Sequence, residues 1–89
     1  MYLSRIWGQM IKSTNNQSYQ RLIAWLKKSR LEKGLTVRQL GELLDEPFQF
    51  VSKIENGQRN LSVHEYVQYC EALDIDFSIG LRRLTKRPN

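Results

Sequence analysis

The chain has 89 residues, a formal net charge of +5 and 40% hydrophobic residues. A chain of this length buries one modest core, which excludes a multidomain enzyme, and its composition is that of a folded domain. No apolar run approaches the roughly 20 residues that cross a membrane, and no continuous apolar segment typical of a secretory signal follows Arg5. A single cysteine, Cys70, excludes an internal disulfide and a thiolate metal site. We therefore expect a soluble cytoplasmic protein, and a homodimer as the way to bury further apolar surface.

The charged residues are segregated along the chain. Residues 1–41 hold eight basic residues and one acid, residues 42–81 hold eight acids and two basic residues, and the last eight residues hold four basic ones. A basic segment attracts polyanions, because Lys and Arg that neutralise phosphates release condensed counterions. The pattern indicates a nucleic-acid partner, with a solvated basic surface as the alternative.

The first eleven residues have the spacing of a short amphipathic helix, although Gly8 weakens it. The polar residues that follow, up to residue 18, have no periodicity and are typical of a linker. We therefore divide the chain into an N-terminal segment of residues 1–18, a domain of residues 19–84 and a basic tail of residues 85–89. The apolar face of the N-terminal helix consists of Leu3, Ile6, Trp7, Met10 and Ile11.

A longer helix, the first helix of the domain, is predicted over residues 19–33. Ser18 is a favourable N-cap residue, and Gly34 stands where a left-handed residue ends a helix. The helical spacing of apolar residues between these two ends predicts the buried face. That face comprises Leu22, Ile23, Leu26 and Leu31.

Two short helices follow, over residues 37–44 and 47–55. Thr36 and Gln39 form a capping-box pattern at the start of the first, and Pro47 suits the first position of the second. Asn56 and Gly57 end the second helix. The predicted buried residues are Leu40, Leu43 and Leu44 in the first helix and Phe50, Val51 and Ile54 in the second.

Ser62 caps a fourth helix, and the segment after Asp74 is ambiguous. Residues 75–81 alternate as a strand does, yet they also fit a helix capped by Asp76. Gly80 disfavours a helix, so a strand that pairs with its symmetry mate across a dimer stays open beside it. The apolar stripe of the fourth helix consists of Val63, Tyr66, Val67, Cys70 and Leu73.

The two short helices between longer ones form a helix-turn-helix arrangement, in which the second short helix enters a major groove. More specifically, residues 27–73 resemble the phage repressor and Cro family of helix-turn-helix domains, the xenobiotic-response-element class. The resemblance is carried by the KG turn that ends at Gly34, by Gly41, and by the run VSKIENG over residues 51–57. It implies an all-α, compact four- or five-helix repressor-like domain, here with an extra N-terminal amphipathic helix.

The resemblance implies that exposed residues early in the third helix read base edges. Gln49 fits an adenine edge and Lys53 fits guanine. Phe48 departs from the polar residue that is common in the family, and its ring either contacts a thymine methyl group or packs on protein. The base-reading candidates are Phe48, Gln49, Ser52 and Lys53.

Phosphate contacts are expected from the loop after the third helix and from separate cations. The Asn56-Gly57 turn brings the loop near a phosphate strand, while the cations have a solvated role as their alternative. Val37 and Asp45 depart from the glutamine and the glycine that are common at their positions in the family. The phosphate candidates are Gln58, Arg59 and Asn60 in the loop, together with Lys27, Lys28 and Arg38.

Two further residues match a structural pair of the family. Glu55 resembles the acid that pairs with an arginine of the first helix, here Arg30, and the pair would tie the reading helix to the scaffold. Gly41 is expected to be small because the third helix crosses the second at close range there.

The resulting prediction is a sequence-specific DNA-binding transcriptional regulator, a repressor that binds a palindromic operator as a homodimer. A different class is an antitoxin that also binds a partner toxin, through the acidic residues 65–76 or the N-terminal helix. We expect no enzyme, metal or cofactor, because His64 and Cys70 form no catalytic or metal-binding set. The expected partners are double-stranded DNA and a second copy of the chain, and the expected location is the nucleoid of the cytoplasm, with no membrane association.

Overall fold

The computed structural model describes residues 16–85, which form five α-helices and no strand. This confirms the all-α prediction. The predicted N-terminal amphipathic helix and the last residues of the basic tail lie outside the described residues. The helices are α1 (Gln17–Glu32), α2 (Val37–Leu44), α3 (Phe48–Glu55), α4 (Val63–Leu73) and α5 (Phe77–Leu84).

Side-chain caps define the starts of four of the five helices in residues 16–85. The exception is α3, where Pro47 is the N-cap residue and not the first helical residue as predicted, and it provides no side-chain hydrogen bond. The Thr36 hydroxyl accepts a hydrogen bond from the Gln39 N–H, and the Gln39 side chain accepts one from the Thr36 N–H, so the predicted capping box is confirmed. Ser62 caps α4 as predicted, and Glu65 returns the second bond. The prediction was wrong for α1, because Asn16 caps it and Ser18 lies buried inside its first turn.

The turns depend on four residues whose backbone adopts the left-handed region, with positive φ. Gly34 follows α1 with φ +74°, as predicted, and Gly57 follows α3 with φ +76°. Asp45 and Asp74 adopt the same region at the ends of α2 and α4, with φ of 58° and 56°. Aspartate enters this region at a modest steric cost, so both turns form without glycine.

Every helix except α5 contributes apolar side chains to one buried core. Three apolar residues that were predicted to be buried are instead exposed: Leu31 and Leu43 at 58% and Val63 at 81%. The physical reason is helical phase, because Leu31 and Leu43 lie off the buried side of their helices and Val63 lies one turn before the first buried residue of α4. The core consists of Leu22, Ile23, Leu26, Leu40, Val51, Ile54, Tyr66, Tyr69, Cys70 and Leu73.

The ambiguous C-terminal segment is a helix, α5, which Asp76 caps by accepting a hydrogen bond from the Ser78 N–H at 2.9 Å. Gly80 is buried in the middle of α5. A Cβ atom at this position would collide with the Trp25 ring and the Tyr66 hydroxyl. Gly80 is therefore the point at which α5 approaches α1 and α4, and this packing outweighs the low helix propensity of glycine.

Candidate nucleic-acid interface

The corner between α2 and α3 is formed by a short turn that packs against Gly41. A Cβ atom at Gly41 would lie 2.8 Å from the Glu46 carbonyl oxygen and 3.3 Å from the Phe48 Cα. The close approach is thus to the backbone of the turn and of the first residue of α3. This packing sets the angle at which α3 leaves the body of the domain.

A buried ion pair joins the end of α3 to α1. The Arg30 guanidinium donates to both carboxylate oxygens of Glu55, at 2.7 and 3.0 Å, and to the Leu35 carbonyl at 2.6 Å. Both charged side chains are only 7% exposed. Since a bidentate ion pair fixes orientation as well as distance, it holds α3 in one position relative to α1. The structure therefore brings together the two residues that the sequence analysis paired.

The outward side of α3 carries the four base-reading candidates. Gln49 and Lys53 are exposed, Ser52 and Phe48 are half-buried, and the opposite side of the helix enters the core through Val51 and Ile54. Within the described part of the chain, no side-chain hydrogen bond ties down Gln49 or Lys53. Their polar groups are thus available to hydrogen-bond base edges in a groove.

Phe48 is in contact with a cation of the neighbouring helix. The guanidinium carbon of Arg38, an exposed residue of α2, lies 4.5 Å from the centre of the Phe48 ring. At this distance the cation is attracted to the negative face of the ring. Both residues were predicted separately as contacts to DNA, and their contact with each other was not predicted.

Arg59 is already paired within the protein. Its guanidinium donates to both carboxylate oxygens of Glu65 at 2.9 Å and lies 4.6 Å from the centre of the Phe50 ring. The hydrogen bonds from Arg59 and from the Ser62 N–H lower the pKa of the Glu65 carboxyl to about 2. A DNA phosphate that contacted Arg59 would therefore share the guanidinium with Glu65, which already neutralises its charge. This role of Glu65, the third residue of α4, was not predicted from the sequence.

The remaining phosphate candidates lie on two different sides of the domain. Lys27 lines a recess beside the end of α3, together with Asn56 and Gly57. The exposed loop residues Gln58 and Asn60 follow directly after that turn. Lys28 instead lines a recess with Trp25 and Arg83, next to α5. The structure thus places Lys27 near the reading helix and separates Lys28 from it.

The sequence of the chain matches a known family over its central part. The sequence model of a family described as helix-turn-helix matches residues 26–79, which is more than half of the chain. The chain belongs to the XRE/Cro-type helix-turn-helix family. It is therefore a DNA-binding transcriptional regulator of the helix-turn-helix type and not an enzyme. None of the helices in residues 16–85 is long and apolar enough to cross a membrane.

Similar proteins agree with this assignment. An uncharacterised HTH-type transcriptional regulator of Bacillus subtilis, YqaF, is 38% identical over 55 residues, which are 62% of this chain and 72% of YqaF. The structure of an XRE-family-like protein from Pseudomonas syringae is 35% identical with a TM-score of 0.74, and the match covers 84% of this chain and 92% of that protein. The clp gene regulator ClgR of Corynebacterium glutamicum is 26% identical with a TM-score of 0.69, over 79% of this chain and 91% of ClgR.

Proposed function

We propose that this regulator binds a palindromic operator as a homodimer and represses transcription by occluding a promoter. The observation that carries the proposal is the polar outward side of α3, held rigidly to α1 by the buried pair of Arg30 and Glu55. A rigid helix with free hydrogen-bonding groups suits the major groove, which is wide enough to admit an α-helix. Two copies related by a two-fold axis would place two such helices in successive major grooves.

Base recognition is assigned to Gln49, Ser52 and Lys53, because these residues share the outward side of α3. Gln49 can form two hydrogen bonds to an adenine edge, and the Lys53 ammonium can donate to guanine. Lys27 and the loop after α3 lie at the end of the reading helix, where they can contact phosphates and set its register.

The surface for the second copy is assigned to α5. Phe77, Leu81 and Leu84 are exposed and recur at helical spacing on one side of this helix. Gly80 borders this face and packs α5 against Trp25 and Leu22 of α1 and against Tyr66 of α4. A contiguous exposed apolar face on a helix that is fixed to the body is typical of a self-association surface, and burying it stabilises a dimer.

Two of the four acidic residues in the segment 65–76 that suggested the antitoxin alternative are engaged within the fold. Glu65 holds Arg59, Asp76 caps α5, and Asp74 forms the left-handed turn after α4. The carboxylates of Glu65 and Asp76 thus have roles within the fold, whereas Glu71 and Asp74 are exposed. The N-terminal helix, the second suggested toxin surface, lies outside the described residues.

Selection of bound duplexes from a random DNA pool tests the base-reading assignment. Lys53→Ala is expected to weaken binding of the selected operator by about 1 to 3 kcal/mol and to relax the preference at one base pair. Lys28→Ala is the matched control, because it removes an exposed lysine on the other side of the domain. An equal loss on every duplex for Lys53→Ala would contradict base reading by this residue.

Sedimentation of the free protein tests the dimer. Leu81→Asp is expected to give a monomer that binds a full operator far more weakly than the unchanged protein does. Val63→Asp is the control, since Val63 is an apolar side chain on α4 that is even more exposed than Leu81, at 81% against 49%, and Asp is tolerated in a first helical turn. A promoter-reporter fusion then tests repression, which should fail for Leu81→Asp and persist for Val63→Asp. A monomeric unchanged protein that binds a single half-site would refute the dimer.

A further inference from the structure

The first residue of the reading helix, Phe48, is apolar although its neighbours on the outward side are polar. Phe48 is half-buried, and its ring is not part of the packing around the core, whereas Phe50 two residues later packs against that core. The contact that holds the ring is with Arg38, whose guanidinium carbon lies 4.5 Å from the ring centre. The ring is therefore held at the corner of α2 and α3 by a cation and not by the core.

An apolar ring at this position has one chemical counterpart in the major groove. Gln49, Ser52 and Lys53 recognise hydrogen-bonding groups, and phenylalanine has none. Among the groups that base pairs display in the major groove, the apolar one is the 5-methyl group of thymine. A ring at the start of α3 thus matches thymine and gains nothing from the other three bases.

Arg38 is also placed to contact the DNA backbone beside the ring. The guanidinium carbon lies over the ring, and the N–H donors of a guanidinium surround that carbon in one plane. Within residues 16–85 these N–H groups make no hydrogen bond and no ion pair. They can therefore donate to a backbone phosphate next to the base that the ring contacts.

We propose that Phe48 and Arg38 act together as a thymine-reading unit, in which the ring contacts the 5-methyl group and Arg38 holds the ring while it binds the adjacent phosphate. The inference rests on the proposed function, because it requires that α3 lie in the major groove. It adds one base identity to each half-site and explains why two residues from different helices are in contact there.

Replacement of thymine by uracil in the selected operator tests the unit, because uracil lacks only the methyl group. At one thymine position in each half-site, removal of the methyl group is expected to reduce the affinity of the protein for the duplex about fourfold. Phe48→Gln should bind the thymine and uracil duplexes with equal affinity. Thermal unfolding checks that the variant is folded, which is expected because the ring lies outside the core packing.

Arg38→Gln separates the two tasks of the arginine, and Lys27→Gln is the matched control. Both variants remove an exposed cation, so each is expected to reduce the slope of log affinity against log salt by about one. Only Arg38→Gln should also reduce the loss of affinity caused by uracil to below about twofold, since the Phe48 ring is then no longer held in place. Equal sensitivity to uracil in the two variants would refute the role of Arg38 in placing the ring.

The outcomes distinguish this inference from the proposed function. If no operator is selected, the proposed function fails. If an operator is selected and bound specifically, but contains no required thymine or is insensitive to uracil at every position, the thymine-reading unit is refuted while the proposed function stands.

Discussion

The buried pair of Arg30 and Glu55 makes the strongest prediction about stability. Glu55→Ala leaves the Arg30 guanidinium buried with one remaining acceptor, the Leu35 carbonyl. Removing one partner of a buried ion pair costs about 3 to 5 kcal/mol, because the other charge is left without compensation. For a domain of this size that loss lowers Tm by at least about 12 °C.

Urea and thermal unfolding followed by circular dichroism measure the effect. Glu55→Gln keeps one carbonyl acceptor for Arg30 and is expected to lose less, about 1.5 to 3 kcal/mol. The double variant Arg30→Met and Glu55→Leu removes both charges and should be more stable than Glu55→Ala. A loss below about 1 kcal/mol for Glu55→Ala would show that the pair is screened by solvent, and the account of how α3 is fixed would be wrong.

Three further predictions concern the packing of α5, a left-handed turn and the pair of Arg59 and Glu65. Gly80→Ala should lower Tm, because overpacking costs about 1 to 3 kcal/mol while the gain in helix propensity is at most about 1 kcal/mol; a higher Tm would contradict the close approach. Asp74→Gly should raise the free energy of unfolding by about 0.5 kcal/mol, since glycine adopts positive φ without steric cost, and a decrease measured in urea would contradict this. The lowered pKa of Glu65 means that its pair stabilises the fold above pH 4.5 and that this contribution disappears as the pH falls towards 2. The Tm of Glu65→Gln should therefore lie below that of the unchanged protein at neutral pH and meet it near pH 2. Parallel curves of Tm against pH for the two proteins would refute the pair's contribution.

The starts of α2 and α4 were predictable because their signals are local. A capping box joins residues that are three positions apart, so Thr36 with Gln39 and Ser62 with Glu65 can be recognised in the sequence itself. Gly34 is likewise a local signal, since a left-handed turn favours glycine whatever surrounds it. The start of α1 was misplaced by two residues because two polar residues, Asn16 and Ser18, can both act as caps.

Burial was less predictable because it depends on which neighbours a helix meets. Leu43 and Leu44 are adjacent on α2, and periodicity alone does not show that Leu43 is exposed and Leu44 half-buried. Tyr69 was missed because its stripe was counted from Val63, which proved to be outside the buried part of α4. Gly80 was misleading as a helix breaker, since the reason for it is the Trp25 ring, which is 55 positions away in sequence.

The site was predictable in outline but not in its contacts. The outward residues of α3 and the pair of Arg30 with Glu55 followed from the family resemblance, because no local pattern links two residues 25 positions apart. The contact of Arg38 with Phe48 depends on how α2 packs on α3, and the pairing of Arg59 with Glu65 depends on the path of the loop before α4, so both became visible only in the structure.

The central claim is that α3 reads base sequence and does not only bind charge. Its most direct test is the Kd for the selected operator and for a scrambled duplex of equal length and composition, measured over a series of salt concentrations. We predict that the operator is bound at least about a thousandfold more tightly and that this preference survives at physiological salt. A ratio near one, with binding to both duplexes lost at moderate salt, would contradict the claim, because the contact would then be electrostatic alone.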